Sequence, residues 1–157
     1  MNRVHFSSAK DEWETPQDLF DELSLEFEFV LDAAAMRTNA KCNRYLSHNS
    51  LELDWVTIAK AQSETHAGAV WLNPPYGRQI GKWVAKASAT AKQGTTVVCL
   101  LPSRTDTRWW HSYIWDKQRH EPREHVQIRL VRGRLKFGDS KNSAPFPSAV
   151  VVFKGRP

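Results

Sequence analysis

The chain has 157 residues, of which 41% are hydrophobic, enough for one domain with a real core. Lys and Arg number 22 against 17 Asp and Glu, and the net charge of +5 admits an anionic partner such as nucleic acid. There is no membrane-length apolar run, no apolar signal core at the N-terminus and no cysteine pattern between Cys42 and Cys99, so no membrane span and no structural disulfide are expected, and a cytoplasmic protein is expected.

Residues 1–10 are polar and read as a mobile N-terminus, followed by a single domain over 11–157. Asp11 to Asp18 reads as a helix start, with Thr15 as the cap, Pro16 at the first helical position and Asp18 at the positive end. Leu19, Phe20 and Leu23 then face the core, and Trp13 stands where a hydrophobic staple would. Phe27 to Asp32 reads as a strand with Phe27, Phe29 and Leu31 on one face, ending at Asp32 before Ala33-Ala34-Ala35. Residues 36–48 read as loop, Leu51 to Ala59 as a short helix, and Gln62 to Gly68 as a polar link.

The most informative stretch follows, Ala69-Val70-Trp71-Leu72-Asn73-Pro74-Pro75-Tyr76-Gly77. Its apolar start reads as a buried strand. Two prolines lack the N–H that a ladder needs, so the chain must leave the sheet at Asn73. In open α/β sheets, ligands bind at such strand ends. The stiff turn aims two acceptors together, the Asn73 side-chain oxygen and the Pro74 carbonyl. Both could bond an exocyclic amine and turn its lone pair out of conjugation, and Tyr76 offers a flat face for a planar base. A proline-rich surface turn is the plainer alternative.

Helix follows over Arg78 to Lys92, with Ile80, Trp83, Val84 and Ala87 on one face and Gly94 to end it. Thr96 to Leu101 reads as a second buried strand stopped by Pro102, which leaves Cys99 a buried thiol. Ser103 to Thr107 is loop and cap, Trp109, Trp110, Tyr113 and Ile114 form a helix face, and Lys117 to His125 is a charged loop. Three late strands are expected, Val126 to Val131, Arg134 to Phe137 and Ala149 to Phe153, with a polar loop over Gly138 to Pro147. The alternation implies an α/β fold with a mostly parallel sheet and antiparallel C-terminal strands. Asp32, Asn73 and Pro102 would then end on one edge.

Six blocks in this order resemble the phage-type DNA N6-adenine methyltransferases, compact enzymes encoded in phages and prophages. They are Trp13-Glu14-Thr15-Pro16, Leu31-Asp32-Ala33-Ala34-Ala35, Asn49-Ser50-Leu51 with Trp55, Trp71 to Gly77, Leu101 to Thr107 with Trp109-Trp110, and Arg132 to Phe137. The resemblance implies a Rossmann-like methyltransferase fold, S-adenosyl-methionine as methyl donor and double-stranded DNA as partner. It implies that Trp13, Thr15, Pro16, Asp32, Ala33, Asn49 and Asn73 face the cofactor, and that Asn73, Pro74, Pro75 and Tyr76 hold a flipped adenine. The chain departs from the usual pattern twice: Asn49 replaces an Asp, and no glycine precedes Gly68 where a Gly-rich cofactor loop would stand.

Arg104, Arg108, Lys117, Arg119, Arg123, Arg132, Arg134, Lys136 and Lys141 crowd the second half and form a candidate DNA surface, as opposed to a merely solvated basic face. No metal site is expected, because the histidines show no paired spacing with cysteine. The same acceptors would also serve cytosine N4 or a protein glutamine, and a non-catalytic DNA-binding protein of the same fold remains the alternative of a different class.

Overall fold

A computed structural model describes residues 13–138 and 140–157; the expected mobile N-terminus at 1–10 lies outside them. The element order follows the expected alternation. Helix α1 (Gln17–Leu23) leads into strand β1 (Phe29–Asp32). A 3-10 turn (Ser50–Glu52) and helix α2 (Trp55–Gln62) precede strand β2 (Ala69–Leu72). Helix α3 (Ile80–Lys92), strand β3 (Val97–Pro102) and helix α4 (Arg108–Tyr113) follow. The chain closes with a small hairpin, β4 (Trp115–Asp116) and β5 (Glu121–Pro122), and with strands β6 (Val126–Leu130) and β7 (Ser148–Phe153).

Five strands form one sheet in the order β1-β2-β3-β7-β6. β1, β2 and β3 pair in parallel, and β7 runs antiparallel to both β3 and β6. Only β7 is therefore reversed, which makes this a mostly parallel α/β sheet with an antiparallel finish. β2, β3 and β7 are buried along their whole length, as expected for strands covered on both faces. Trp71 of β2 is fully buried and takes Phe20 of α1 and Phe29 of β1 edge-on, with ring centroids 5.4 and 5.5 Å away. α2 packs on β1 and β2, and α3 on β3 and β7.

The register decides where the site lies. Asp32 pairs with Trp71, and Leu72 with Cys99, so β1 and β2 end side by side. The loop after β1 is tied down from two directions. The Ala33 N–H donates to the Trp71 carbonyl at 3.0 Å, and the Ala33 carbonyl accepts from the Ser50 hydroxyl at 2.5 Å. The buried Trp55 indole donates to the Ser50 carbonyl at 2.9 Å and fixes that turn in place.

Several local expectations are corrected. The helix expected over 51–59 is broken in two, because the Asp54 side chain accepts from the Val56 and Thr57 N–H groups and starts a new helix there. Residues 134–137 form no strand. β7 already has β3 and β6 on its two edges, and Phe137 instead turns inward against Trp13 and Tyr76. The charged 117–125 segment contains the short β4–β5 hairpin. Pro102 closes β3 as its last paired residue rather than standing after it. Thr15 does not cap α1, which has no side-chain cap bond; its hydroxyl is used elsewhere.

Candidate active site

A cavity of about 260 Å³ opens where β1 and β2 end. Three segments distant in sequence wall it: Trp13 to Thr15, the post-β1 loop, and Asn73 to Pro75 with Trp83 of α3. Of the residues expected to face a cofactor, the structure brings Trp13, Thr15, Asp32 and Asn73 together here.

Asn73 is held by the N-terminal segment. Its Nδ2 donates to the Trp13 carbonyl and to Thr15 Oγ1, the latter at 3.0 Å. Thr15 Oγ1 also accepts from the Trp71 indole at 3.3 Å. Asn73 Oδ1 is buried and has no partner among the described residues. Burying an acceptor unpaired costs about 1–3 kcal/mol, so an oxygen left this way marks a place where a ligand donor belongs. The Pro74 carbonyl next to it accepts no backbone bond among the described residues. The two acceptors expected at this turn are thus both present.

Asp32 is the buried acid of the cavity. It is only 3% exposed, and burial raises its carboxyl from 3.8 to about 6 despite N–H bonds from Lys41 at 2.9 Å and Ala34 at 3.3 Å. It has no ion-pair partner among the described residues. A buried acid without a cation suits a ligand that brings positive charge.

Four expected site residues sit differently. Tyr76 is 4% exposed and is no wall of the cavity. Its hydroxyl donates to the Leu100 carbonyl at 2.8 Å, and its ring meets Phe137 and Phe146 edge-on, so in this state no face is offered to a base. Asn49 is exposed, in a left-handed conformation (φ 55°) at the start of the 3-10 turn, and Ser47 lines the cavity instead. Ala33 is buried behind the wall, which is formed by Ala34 and Ala35. Pro16 also lies off the wall, at the head of α1.

The absence of glycine in the post-β1 loop has a structural counterpart. The N–H groups of Ala33, Ala34 and Ala35 all donate within the protein, to Trp71, Asp32 and Leu46. The loop offers its small Cβ atoms to a ligand, not a row of backbone donors. The polar side chains that line the cavity are those of Asp32, Asn39, Ser47 and Glu14, besides Thr15 and Asn73. Asn39, Ser47 and Trp83 carried no sequence signal as site residues; Trp83 had looked like an ordinary core position on α3.

All nine basic residues of the candidate surface, Arg104, Arg108, Lys117, Arg119, Arg123, Arg132, Arg134, Lys136 and Lys141, are exposed. Arg104 lies over the Phe146 ring at 5.9 Å, on the aromatic cluster that includes Trp13 and Tyr76. Arg119 pairs with Glu121. The Arg123 guanidinium is already bonded to the His111 carbonyl at 2.5 and 3.1 Å, which anchors β5 to α4 and leaves it less suited to a phosphate. Cys99 is fully buried in β3, where burial pushes its thiol well up, so it is no nucleophile. No group of three or more His, Cys, Asp or Glu able to hold a metal occurs among the described residues, and no described helix is long and apolar enough to cross a membrane.

A family model described as DNA N-6-adenine-methyltransferase (Dam) matches residues 4–154. The DNA N-6-adenine-methyltransferase of Escherichia phage T1 is 31% identical over 106 residues, which are 66% of this chain and 40% of the phage protein. The chain thus spans less than half the length of that relative.

The raised Asp32 pKa sets a sign for stability. The folded state binds this proton more tightly than the unfolded one, so the Asp32 contribution to stability is full below pH 3.8 and is lost as pH rises to about 6. A carbon-13 titration of the aspartate carboxyls of the ligand-free protein should show one midpoint near 6 that vanishes in Asp32→Asn. An Asp32 midpoint at 3.8 would contradict the desolvated environment.

Proposed function

Since the chain belongs to the DNA N-6-adenine-methyltransferase (Dam) family, we propose that it transfers a methyl group from S-adenosyl-methionine to the N6 amine of adenine in double-stranded DNA. The observation that carries this reading is the buried Asn73 Oδ1, without a partner among the described residues, beside the Pro74 carbonyl; both residues line a cavity whose one buried acid has no ion-pair partner among the described residues.

The cavity residues fit the methyl donor. Trp13, Trp71 and Trp83 supply apolar and aromatic walls, Ala34 and Ala35 allow close approach, and Asp32 suits a positively charged ligand group. When bound, the donor supplies an electrophilic methyl on a sulfonium. The protein's part is to prepare the nucleophile. Asn73 Oδ1 and the Pro74 carbonyl accept the two hydrogens of the target amine, which turns the nitrogen lone pair toward the methyl carbon. These acceptors become more useful as positive charge develops on nitrogen, so they favour the transition state over the ground state. Once methylated, the nitrogen is acidic, and its proton can leave along either acceptor to water. No histidine is required as a base.

Inside a duplex the amine is stacked and out of reach, so the target base must be extruded. The family resemblance assigns Tyr76 to that base. Tyr76 closes the cluster of Phe137 and Phe146, and freeing its face requires those two rings to move. We place the DNA along Arg104 to Asp106, Lys117 to His125 and Gly138 to Pro147, with Arg104, Arg108, Lys117, Arg119, Arg134 and Lys141 on phosphates. Cytosine N4 would meet the same two acceptors and is the second reading.

Two measurements test this. Incubation with S-adenosyl-methionine and unmethylated DNA, then digestion and mass spectrometry, should yield N6-methyl-deoxyadenosine. Asn73→Ala should lower the rate by about 10²–10³-fold, the scale for removing one preorganised charge-stabilising group. N4-methyl-deoxycytidine would change the base, and no methylated nucleoside on DNA of any sequence would overturn the activity. For the DNA surface, Arg104→Ala with Arg134→Ala should weaken binding to all sequences and lower the log–log salt slope by about 2. An unchanged slope would move the DNA elsewhere.

A further inference from the structure

A side-chain amide has nearly the same shape either way round, so Asn73 could present Oδ1 or Nδ2 to the cavity. Only Oδ1 can accept from an amine. On the protein side, the Trp13 carbonyl can only accept, so it selects Nδ2 and would repel Oδ1. Thr15 Oγ1 is the second partner, at 3.0 Å. A hydroxyl is ambivalent, and alone it would bond either end of the amide. Here the Trp71 indole, which can only donate, occupies one lone pair of Thr15 Oγ1. The Trp13 carbonyl has already turned Nδ2 to this side, so the remaining lone pair of Thr15 Oγ1 accepts from it and adds a second anchor to that orientation. Thr15 is 6% exposed and Trp71 fully buried, so water has little access to compete.

We propose that Thr15 is a positioning residue: together with the Trp13 carbonyl it locks the Asn73 amide with Nδ2 turned to the protein and Oδ1 turned to the target amine. The inference rests on the proposed methyl transfer for its kinetic consequence, but the lock itself is a property of the ligand-free chain. The N-cap of α1 is Pro16, which has no side-chain acceptor, so the Thr15 hydroxyl is not engaged at the helix start. Its Asn73 partner is 58 residues away in sequence. A Thr15 that merely satisfied the Trp71 indole in the core would affect folding but not the amide orientation.

The test compares Thr15→Val, which keeps the shape and removes the acceptor, with Thr15→Ser, which keeps the hydroxyl. Thr15→Val should lower kcat by about 10–100-fold with KM for DNA and for the methyl donor little changed, the cost expected of a mis-set catalytic group. Thr15→Ser should restore most of it. Independently of activity, the Asn73 side-chain NH2 signals in nitrogen-15 spectra should show slow hydrogen exchange in the wild type and in Thr15→Ser, and fast exchange in Thr15→Val. Wild-type kcat in Thr15→Val, or losses in Val and Ser variants that simply track melting temperature, would overturn the proposal. So would fast Asn73 amide exchange in the wild type. If Thr15→Val does not fold, Thr15→Cys, with a weaker sulfur acceptor, carries the same comparison. If the wild type methylates nothing yet the amide is protected in the predicted pattern, the methyl-transfer reading fails and the lock stands.

Discussion

The contact on which the site depends is that between the N-terminal segment and the end of β2. Trp13 and Thr15 reach Asn73 and Trp71 through three hydrogen bonds. Without them, the Asn-Pro-Pro turn would still leave the sheet, because the prolines force it to. What it would lose is the orientation of the one side chain in the turn that can recognise an amine. The segment is itself held by Phe137 and Phe146, which meet Trp13 edge-on at 5.4 and 5.2 Å, and by Gly138, whose N–H donates to the Glu14 carbonyl. The first and last thirds of the chain thus converge on Asn73.

Around this point the cavity is built by division of labour. The start of the post-β1 loop, Ala33 to Ala35, spends its N–H groups inside the protein, which makes this part of the wall firm. Charge recognition is concentrated in Asp32, whose burial makes its ionised form costly until a cation arrives. A cationic ligand would recover that cost by favouring the charged form, a direct route from desolvation to selectivity. The Asn73 oxygen follows the same logic with a hydrogen bond in place of a charge. Both groups are held in a state that a donor of the right kind relieves.

Much of this was legible in the sequence because it rests on short-range rules. Two prolines after an apolar run must end a strand, so Asn73 was placed at a sheet edge. The α/β alternation gave the parallel arrangement that puts Asp32 beside it. The places where the structure sets a residue differently from its local reading depend on distant partners. Thr15 looked like a helix cap because local rules consider only the next few residues, while its partners lie in and after β2. Tyr76 looked like a base platform, but Phe137 and Phe146 from the segment before β7 cover it. Residues 134–137 had strand-like composition, but β7 has both edges taken by β3 and β6, and Phe137 packs into the aromatic cluster instead. Asn49 was placed by likeness to a family block, and a left-handed turn carries it out to solvent.

The central claim is that one cavity, bounded by Asp32, the Trp13–Thr15 segment and Asn73, is where a methyl donor meets the target amine. The most direct measurement is a crystal structure of the protein with S-adenosyl-homocysteine, the demethylated form of the proposed donor. The account predicts the ligand in this cavity, its sulfur on the side of Asn73, with Asn73 Nδ2 still bonded to Trp13 and Thr15 and Oδ1 left for the target amine. A ligand bound elsewhere, or an Asn73 amide presenting Nδ2 to the sulfur side, would contradict it.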